Sequence, residues 1–294
     1  MRFDEDHESP DVIDRRGQRS GGGGGGLGML LPFLPMLIRS PFGWVIILGV
    51  VGYSVFRGLF SGGTPDAPRA HGADGQTVAA NDPQAPLVHF ASLVLDDTQS
   101  TWAKTFAARG EAYRHAKLVL FTDATQTACG YGESATGPFY CPSDERVYVD
   151  LGFYQELSTR FGARGQFAQA YVIAHEMGHH VQKLLGINDK VQGLHGSTKG
   201  ASGASVRLEL QADCFAGIWA QSTAQRNLLE AGDIDSALGA AAAIGDDRLQ
   251  KQATGTVTPE KWTHGSSDER VRWFRRGFDT GKVESCDTFA ASTL

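Results

Sequence analysis

Residues 171–180 read Tyr-Val-Ile-Ala-His-Glu-Met-Gly-His-His, and this stretch decides the fold. Residues four apart lie on one face of an α-helix, so His175 and His179 can direct two imidazole nitrogens at one point. The neighbouring positions supply an apolar stripe that would bury such a helix: Val172, Ile173, Val181 and Leu184. The sequence therefore predicts a buried helix over about residues 164–186 that carries both histidines inward.

The spacing of these histidines is typical of a zinc site. Zinc binds neutral imidazole at about 2.0–2.1 Å in tetrahedral geometry. Glu176 is rotated by roughly 100° from His175, which leaves it close enough to take a proton from water at the metal. This His-Glu-x-x-His arrangement is that of zinc metalloproteases. The plainer interpretation is a helix whose histidines lie on a polar face. Gly178 is unfavourable within a helix by about 1 kcal/mol, which a close backbone approach beside the metal would explain.

A zinc site needs a third protein ligand, which must come from elsewhere in the chain. The metzincin continuation would need glycine and histidine where the chain has Gln182 and Leu185, so that class is excluded. A second helix, predicted over about residues 205–225, places Glu209 and Asp213 one turn apart on one face. Glu209 then serves as ligand, and Asp213 accepts a ligand imidazole N–H. A solvated helix face is the alternative, and the competing ligands are Asp189, His180 and His195.

Taken together, these motifs resemble those of the bacterial, membrane-anchored neutral zinc metallopeptidases. That family is marked by the His-Glu-x-Gly-His-His-Val-Gln helix, here residues 175–182, and by a Glu-Leu-Gln-Ala-Asp-Cys helix, here residues 209–214. The likeness extends from about Val94 to the C-terminus. By its motif, the family is similar to the gluzincins. The resemblance implies a zincin-like α+β domain that is mostly helical with a small sheet, one zinc ion, and peptidase activity.

Two further groups of residues gain a role from this context. Thr263-His264, with Arg270 six residues beyond the histidine, is similar to a segment of other gluzincins, where the histidine would stabilise the oxyanion. The alternative is a surface histidine that caps a final helix over residues 268–281. The four cysteines allow three pairings, of which we favour Cys129 with Cys141 and Cys214 with Cys286.

Composition divides the 294 residues into four parts. Residues 1–39, with six glycines at 21–26, are predicted to be a disordered cytoplasmic segment. Residues 40–60 contain an uncharged apolar run that predicts a transmembrane anchor, favoured over a cleaved signal peptide. Residues 61–86 read as a flexible linker, and 87–294 as the metallopeptidase domain. More Arg precedes the anchor than follows it, so we expect a single pass through the inner membrane with the domain outside.

Within the domain, the sequence predicts further elements. Asp96 or Asp97 is expected to cap a helix that ends near Gly110, and a third helix is expected over residues 228–249. Lys117–Phe121 and Arg146–Leu151 are expected to be strands, the second lying either along the cleft or in the sheet interior.

The chain as a whole indicates a membrane-anchored zinc peptidase acting on peptide or protein substrates. The alternatives are a catalytically weak zinc-binding interaction or chaperone-like module, and a metal-dependent hydrolase of another amide such as one in the cell wall. A net charge of −6 gives no reason to expect a nucleic-acid partner. The sequence does not indicate an oligomeric state.

Overall fold

The protein is described here by a computed structural model, which covers residues 7–18, 82–192 and 198–294. The chain divides into two compact units, and all of these residues belong to the unit made of residues 1–18 together with residues 75–294. The strands are β1 (Val12–Asp14), β2 (Lys117–Phe121), β3 (Ala124–Thr127), β4 (Gly130–Glu133), β5 (Phe139–Cys141) and β6 (Arg146–Asp150). The helices are α1 (Ala85–Ala108), α2 (Gly152–Thr159), α3 (Gln166–Leu184), α4 (Ile187–Gln192), α5 (Ala204–Gln225), α6 (Asp233–Ala243), α7 (Asp246–Thr254) and α8 (Ser267–Thr280). This α+β composition, mostly helical with small sheets, is the predicted fold class.

Four strands form a mixed sheet in the order β1-β2-β6-β5. β1 and β2 are parallel, as are β2 and β6, whereas β5 runs antiparallel to β6. Val119 pairs with Tyr148 in the middle of the sheet, and both are fully buried. Both predicted strands are therefore confirmed, and β6 is the interior strand. β5 takes the edge on the side away from β1, and β3 pairs with β4 as a separate hairpin.

β1 corrects the prediction that residues 1–39 are disordered, which is wrong for residues 7–18. Val12–Asp14 pair with Leu118–Leu120. The carboxylate of Asp11 accepts hydrogen bonds from Lys117 Nζ at 2.6 Å and from Gln99 Nε2 at 2.8 Å. These partners lie about a hundred residues away, so no local pattern could show that two apolar residues would suffice to form an edge strand.

Several predicted segments lie outside the described residues. They are the glycine run at 21–26, the anchor at 40–60, most of the linker at 61–86, and His195. Within residues 7–18, 82–192 and 198–294, no helix combines the length and the apolar character needed to cross a bilayer.

The helices carrying the predicted ligands pack closely on one another and on α8. A Cβ atom placed on Gly277 of α8 would lie 1.9 Å from the carbonyl oxygen of Cys214, and one on Gly217 of α5 would lie 2.1 Å from that of Phe274. Only glycine permits backbones to approach so closely. This contact brings Arg270 of α8 against the polar face of α5.

Two helix boundaries differ from the predictions. α1 begins at Ala85, with Pro86 in its first turn, and Asp96 and Asp97 lie inside it. The helix expected over 228–249 is two helices separated at Ile244-Gly245. A Cβ on Gly245 would lie 2.5 Å from the backbone nitrogen of Ser267, so the close approach of the α8 entry explains the break.

Two disulfides join the predicted cysteine pairs. Cys129–Cys141 links the β3–β4 turn to β5, and Cys214–Cys286 links α5 to the C-terminal segment.

Candidate metal centre

Three side chains from α3 and α5 meet at one point. Glu209 Oε2 lies 3.1 Å from His175 Nε2, and Glu209 Oε1 lies 3.5 Å from His179 Nε2. One potential ligand atom from each residue lies within 4.8 Å of the other two. Two imidazole nitrogens and a carboxylate oxygen are a donor set that zinc accepts, with a fourth position left for a non-protein ligand. The residues present therefore fit the metal that the sequence predicts.

The two helices approach closely because Gly178 has no side chain. A Cβ at this position would lie 2.9 Å from the carbonyl oxygen of Ala212 and 3.0 Å from its Cα. Ala212 lies between Glu209 and Asp213 in α5, so this contact fixes the positions of both carboxylates relative to the histidines. The close backbone approach offered as the reason for a mid-helix glycine is present.

Asp213 orients His175 through the ring nitrogen that faces away from the predicted metal position. Its Oδ1 lies 2.8 Å from His175 Nδ1, so a proton on Nδ1 leaves the Nε2 lone pair facing Glu209. Tyr171 donates its hydroxyl to the same carboxylate. Arg270 donates Nε to Asp213 Oδ2 at 2.8 Å and Nη2 to Oδ1 at 3.0 Å, and it is 1% exposed. Arg270 is therefore the buried counter-ion of Asp213.

Gln182 gives the second histidine a similar partner. Its Oε1 lies 2.9 Å from His179 Nδ1, and its amide nitrogen donates to the carbonyl of Leu208 at 2.7 Å. A proton on Nδ1 of His179 again leaves Nε2 free to face the site. Gln182 had no predicted role, although its position three residues after His179 is the spacing that brings the two side chains together on a helix.

The charges around the site shift the pKa values of its residues in opposite directions. Burial alone would lower the pKa of His175, but Asp213 and the hydrogen bond that the ring donates to Glu209 raise it to about 10. Burial would raise the pKa of Glu209, yet the two histidines hold it well below its usual value. Burial raises the pKa of Glu176, and this effect outweighs the nearby imidazoles. Protons therefore compete with a metal for the histidines.

A cavity of about 810 Å³ opens onto these residues. It is lined by Phe139 and Tyr140 of the edge strand β5, by Phe153 of α2 and by Leu249 of α7. The walls mix apolar side chains with polar and charged ones, and convergent polar groups in a cleft are typical of a small-molecule or peptide site.

His264 lines this cavity beside the predicted ligands. Asp246 holds its loop, since Oδ2 accepts the backbone N–H of Thr263 at 2.7 Å and of His264 at 2.6 Å. Asp246 Oδ1 lies 3.2 Å from His264 Nδ1. The alternative role of His264 as a helix cap is wrong, because Ser266 caps α8 in a capping box with Glu269. Asp246 was missed because nothing local in the sequence links it to a histidine eighteen residues later.

The competing ligands have other partners or lie elsewhere. Both ring nitrogens of His180 are hydrogen-bonded, to Tyr140 and to the carbonyl of Arg114. Asp189 is exposed and lies near Lys183. His195 is outside the described residues.

These features define the class of protein. Two histidines on one helix, a glutamate between them and a carboxylate from a second helix are the residue set of a zinc-dependent hydrolase. The chain belongs to the family described as "Putative neutral zinc metallopeptidase", which it matches over residues 1–289. Membership of this family suggests zinc protease activity and a peptide or protein substrate.

The relatives cover most or all of the chain. It is 45% identical over 295 residues to "Uncharacterized protein YpfJ" of Escherichia coli strain K12, covering 99% of this chain and 100% of that protein. It is 48% identical over 193 residues to "Uncharacterized protein Rv2575" of Mycobacterium tuberculosis, covering 62% of this chain and 65% of that protein. No solved structure matches it.

Proposed function

We propose that the protein hydrolyses peptide bonds at a single zinc ion held by His175, His179 and Glu209. The observation that carries this proposal is the meeting of these three side chains at one wall of the cavity, with Glu176 beside them. When bound, zinc supplies Lewis-acid catalysis, polarising the scissile carbonyl and activating water for attack.

Glu176 is the proposed general base. It lines the cavity and is 8% exposed, and burial raises its pKa above the ordinary value of a glutamate. A carboxylate with a raised pKa accepts a proton more readily, so Glu176 can take one from the attacking water and return it to the leaving amine.

His264 is the proposed donor to the carbonyl oxygen as that oxygen gains negative charge. Asp246 fixes its loop through backbone N–H groups and faces Nδ1, which leaves Nε2 as the ring atom available to the cavity. A fixed donor of this kind stabilises charge that develops only in the transition state.

The edge strand β5 is the proposed docking surface for the substrate. β5 forms one end of the sheet and lines the cavity, so an extended peptide can add to it by main-chain hydrogen bonds. β6, which was predicted to lie either along the cleft or in the sheet interior, lies between β2 and β5 and has no free edge.

We also propose that residues 87–294 lie outside the cytoplasm, which is supported by their two disulfides. Anchoring through residues 40–60 stays a prediction. β1 adds a constraint, because Val12–Asp14 pair with β2 and must share one side of any membrane with the domain while they do so. The predicted single crossing at residues 40–60, with the N-terminus in the cytoplasm, would separate β1 from β2, so only one of the two arrangements can hold at a time in the cell. Epitope tags at the two termini should therefore show the same protease accessibility in cells; opposite accessibility would exclude the β1–β2 pairing there.

The decisive experiment compares Glu176→Gln with wild type, using the full chain because β1 is part of the sheet. The variant should keep one zinc per chain and lose peptide cleavage by about 10²-fold or more. Glu133→Gln, on the exposed face of β4, is the matched control and should cleave normally. Wild-type cleavage by Glu176→Gln would refute the mechanism. A wild-type protein that binds zinc but cleaves no peptide in a broad library would favour the interaction-module alternative.

A further inference from the structure

The residue after the second predicted ligand is a buried histidine that faces away from the metal centre. His180 is 0% exposed, and successive residues of a helix point about 100° apart. His179 faces Glu209, whereas His180 faces the edge strand and the chain before β2. None of the roles assigned above uses it.

The hydrogen bonds of His180 define its tautomer. Nε2 lies 2.7 Å from the carbonyl oxygen of Arg114, which can only accept, so Nε2 carries the proton. Nδ1 is then an acceptor, and it lies 3.0 Å from the hydroxyl of Tyr140, which must donate to it. The two hydrogen bonds together fit the neutral imidazole ring, which has one donor and one acceptor.

Tyr140 is the middle residue of β5 and lines the cavity. β5 has three residues and a ladder on one side only, where Tyr140 pairs with Val147 of β6. Short edge strands with a free side are weakly held by their ladder alone. The rings of Tyr140 and His180 are also in contact, with centroids 5.5 Å apart. The hydrogen bond to His180 therefore ties the docking strand directly to the metal-bearing helix.

We propose that His180 is a positioning residue that holds β5 in place through the hydroxyl of Tyr140, and so keeps the docking edge formed for an extended peptide. The proposal rests on peptide hydrolysis as the activity. Adjacent residues of α3 thereby serve two purposes, since His179 faces the metal centre and His180 holds the strand beside which the substrate lies.

Two substitutions remove this hydrogen bond from opposite ends. Tyr140→Phe deletes the hydroxyl. His180→Gln removes the ring acceptor at the Nδ1 position, while its amide nitrogen, placed like Nε2, can still donate to the carbonyl of Arg114. Tyr148→Phe is the matched control, because Tyr148 is on the neighbouring strand and donates its hydroxyl to Asp144 at 2.7 Å, away from the cavity.

A loosened β5 weakens peptide docking equally in the ground state and in the transition state, which raises KM and leaves kcat unchanged. For a peptide long enough to lie along β5, Tyr140→Phe and His180→Gln should each raise KM by about 5–10-fold, the scale of one hydrogen bond. Zinc content should be unchanged, and the double variant should be no worse than either single variant, because the two residues share one interaction. Tyr148→Phe should keep the wild-type KM.

Three results would overturn the proposal: a KM for Tyr140→Phe equal to that of Tyr148→Phe, a fall in kcat at constant KM, or additive effects in the double variant. The same variants in a Glu176→Gln background separate this proposal from the proposed activity, because calorimetry on an uncleaved peptide measures strand docking directly. If wild type cleaves nothing, the activity fails. If peptide binding in that background is then insensitive to Tyr140→Phe, the positioning role fails as well.

Discussion

Gly178→Ala tests how the two ligand-bearing helices are held together. The new Cβ would lie 2.9 Å from the Ala212 carbonyl oxygen, and ordinary contact begins near 3.4 Å, so α3 and α5 must separate by about 0.5 Å. Metal sites accept ligand displacements of only about 0.2 Å. Because Ala212 lies between Glu209 and Asp213, both carboxylates would move relative to the histidines. We expect zinc affinity to fall by about tenfold or more, the effect of disturbing residues around a metal site.

The stability of the same variant combines two opposing effects. Alanine is favoured over glycine within a helix by about 1 kcal/mol, whereas overpacking costs about 1–3 kcal/mol. Gly239→Ala is the control, because Gly239 lies within α6 with no atom within 4 Å of an added Cβ. Gly239→Ala should therefore stabilise the protein by about 0.5–1 kcal/mol, and Gly178→Ala should not.

The assay is urea unfolding of the full chain with and without zinc, together with a competitive zinc titration. If Gly178→Ala is stabilised as much as Gly239→Ala and keeps the wild-type zinc affinity, the close helix contact has no part in forming the site.

Three further predictions concern other parts of the network. Burial would raise the pKa of Asp213, but Arg270 and His175 lower it, so the contribution of Asp213 to stability is present above pH 3.8 and lost as the pH falls below that value. Asp213→Asn should lower the free energy of unfolding by about 3–5 kcal/mol at neutral pH and make it less dependent on pH between pH 2 and pH 7. An unchanged pH profile would contradict the ion pair. Gly277→Ala should destabilise the protein by about 3 kcal/mol in the same unfolding assay, because its Cβ would lie 1.9 Å from the carbonyl oxygen of Cys214; a neutral effect would exclude the tight packing of α5 on α8. His264→Gln should lower kcat by about 10²-fold with normal zinc content, and a normal kcat would remove His264 from the proposed mechanism.

The helices that carry the site could be predicted because their signals are local. The apolar stripe on α3 and the spacing of His175 and His179 lie within three turns, and Glu209 and Asp213 lie one turn apart. Their convergence followed from the chemistry of zinc, which requires a third ligand, and from the family resemblance. The fold class was implied by the family resemblance, and the favoured one of the three possible cysteine pairings is the one present.

The features that could not be predicted all depend on contacts between distant residues. Nothing near Arg270 indicates that it will be buried against Asp213, 57 residues earlier. β1 contains only three residues and is defined by its pairing with β2. The break at Gly245 reflects the approach of α8, and the pairing of Asp246 with His264 depends on that break. His180 looked like a competing ligand because its partners, Tyr140 and Arg114, lie 40 and 66 residues away.

The most direct test of the central claim is zinc K-edge X-ray absorption on the zinc-loaded full chain. We expect four light-atom ligands at about 2.0–2.1 Å, with no sulfur near 2.3 Å. The outer-shell signal should correspond to two imidazoles, and His179→Ala should retain one of them at most. A sulfur shell, or a spectrum unchanged by both His179→Ala and Glu209→Ala, would show that zinc binds elsewhere and that these three side chains do not form the metal site.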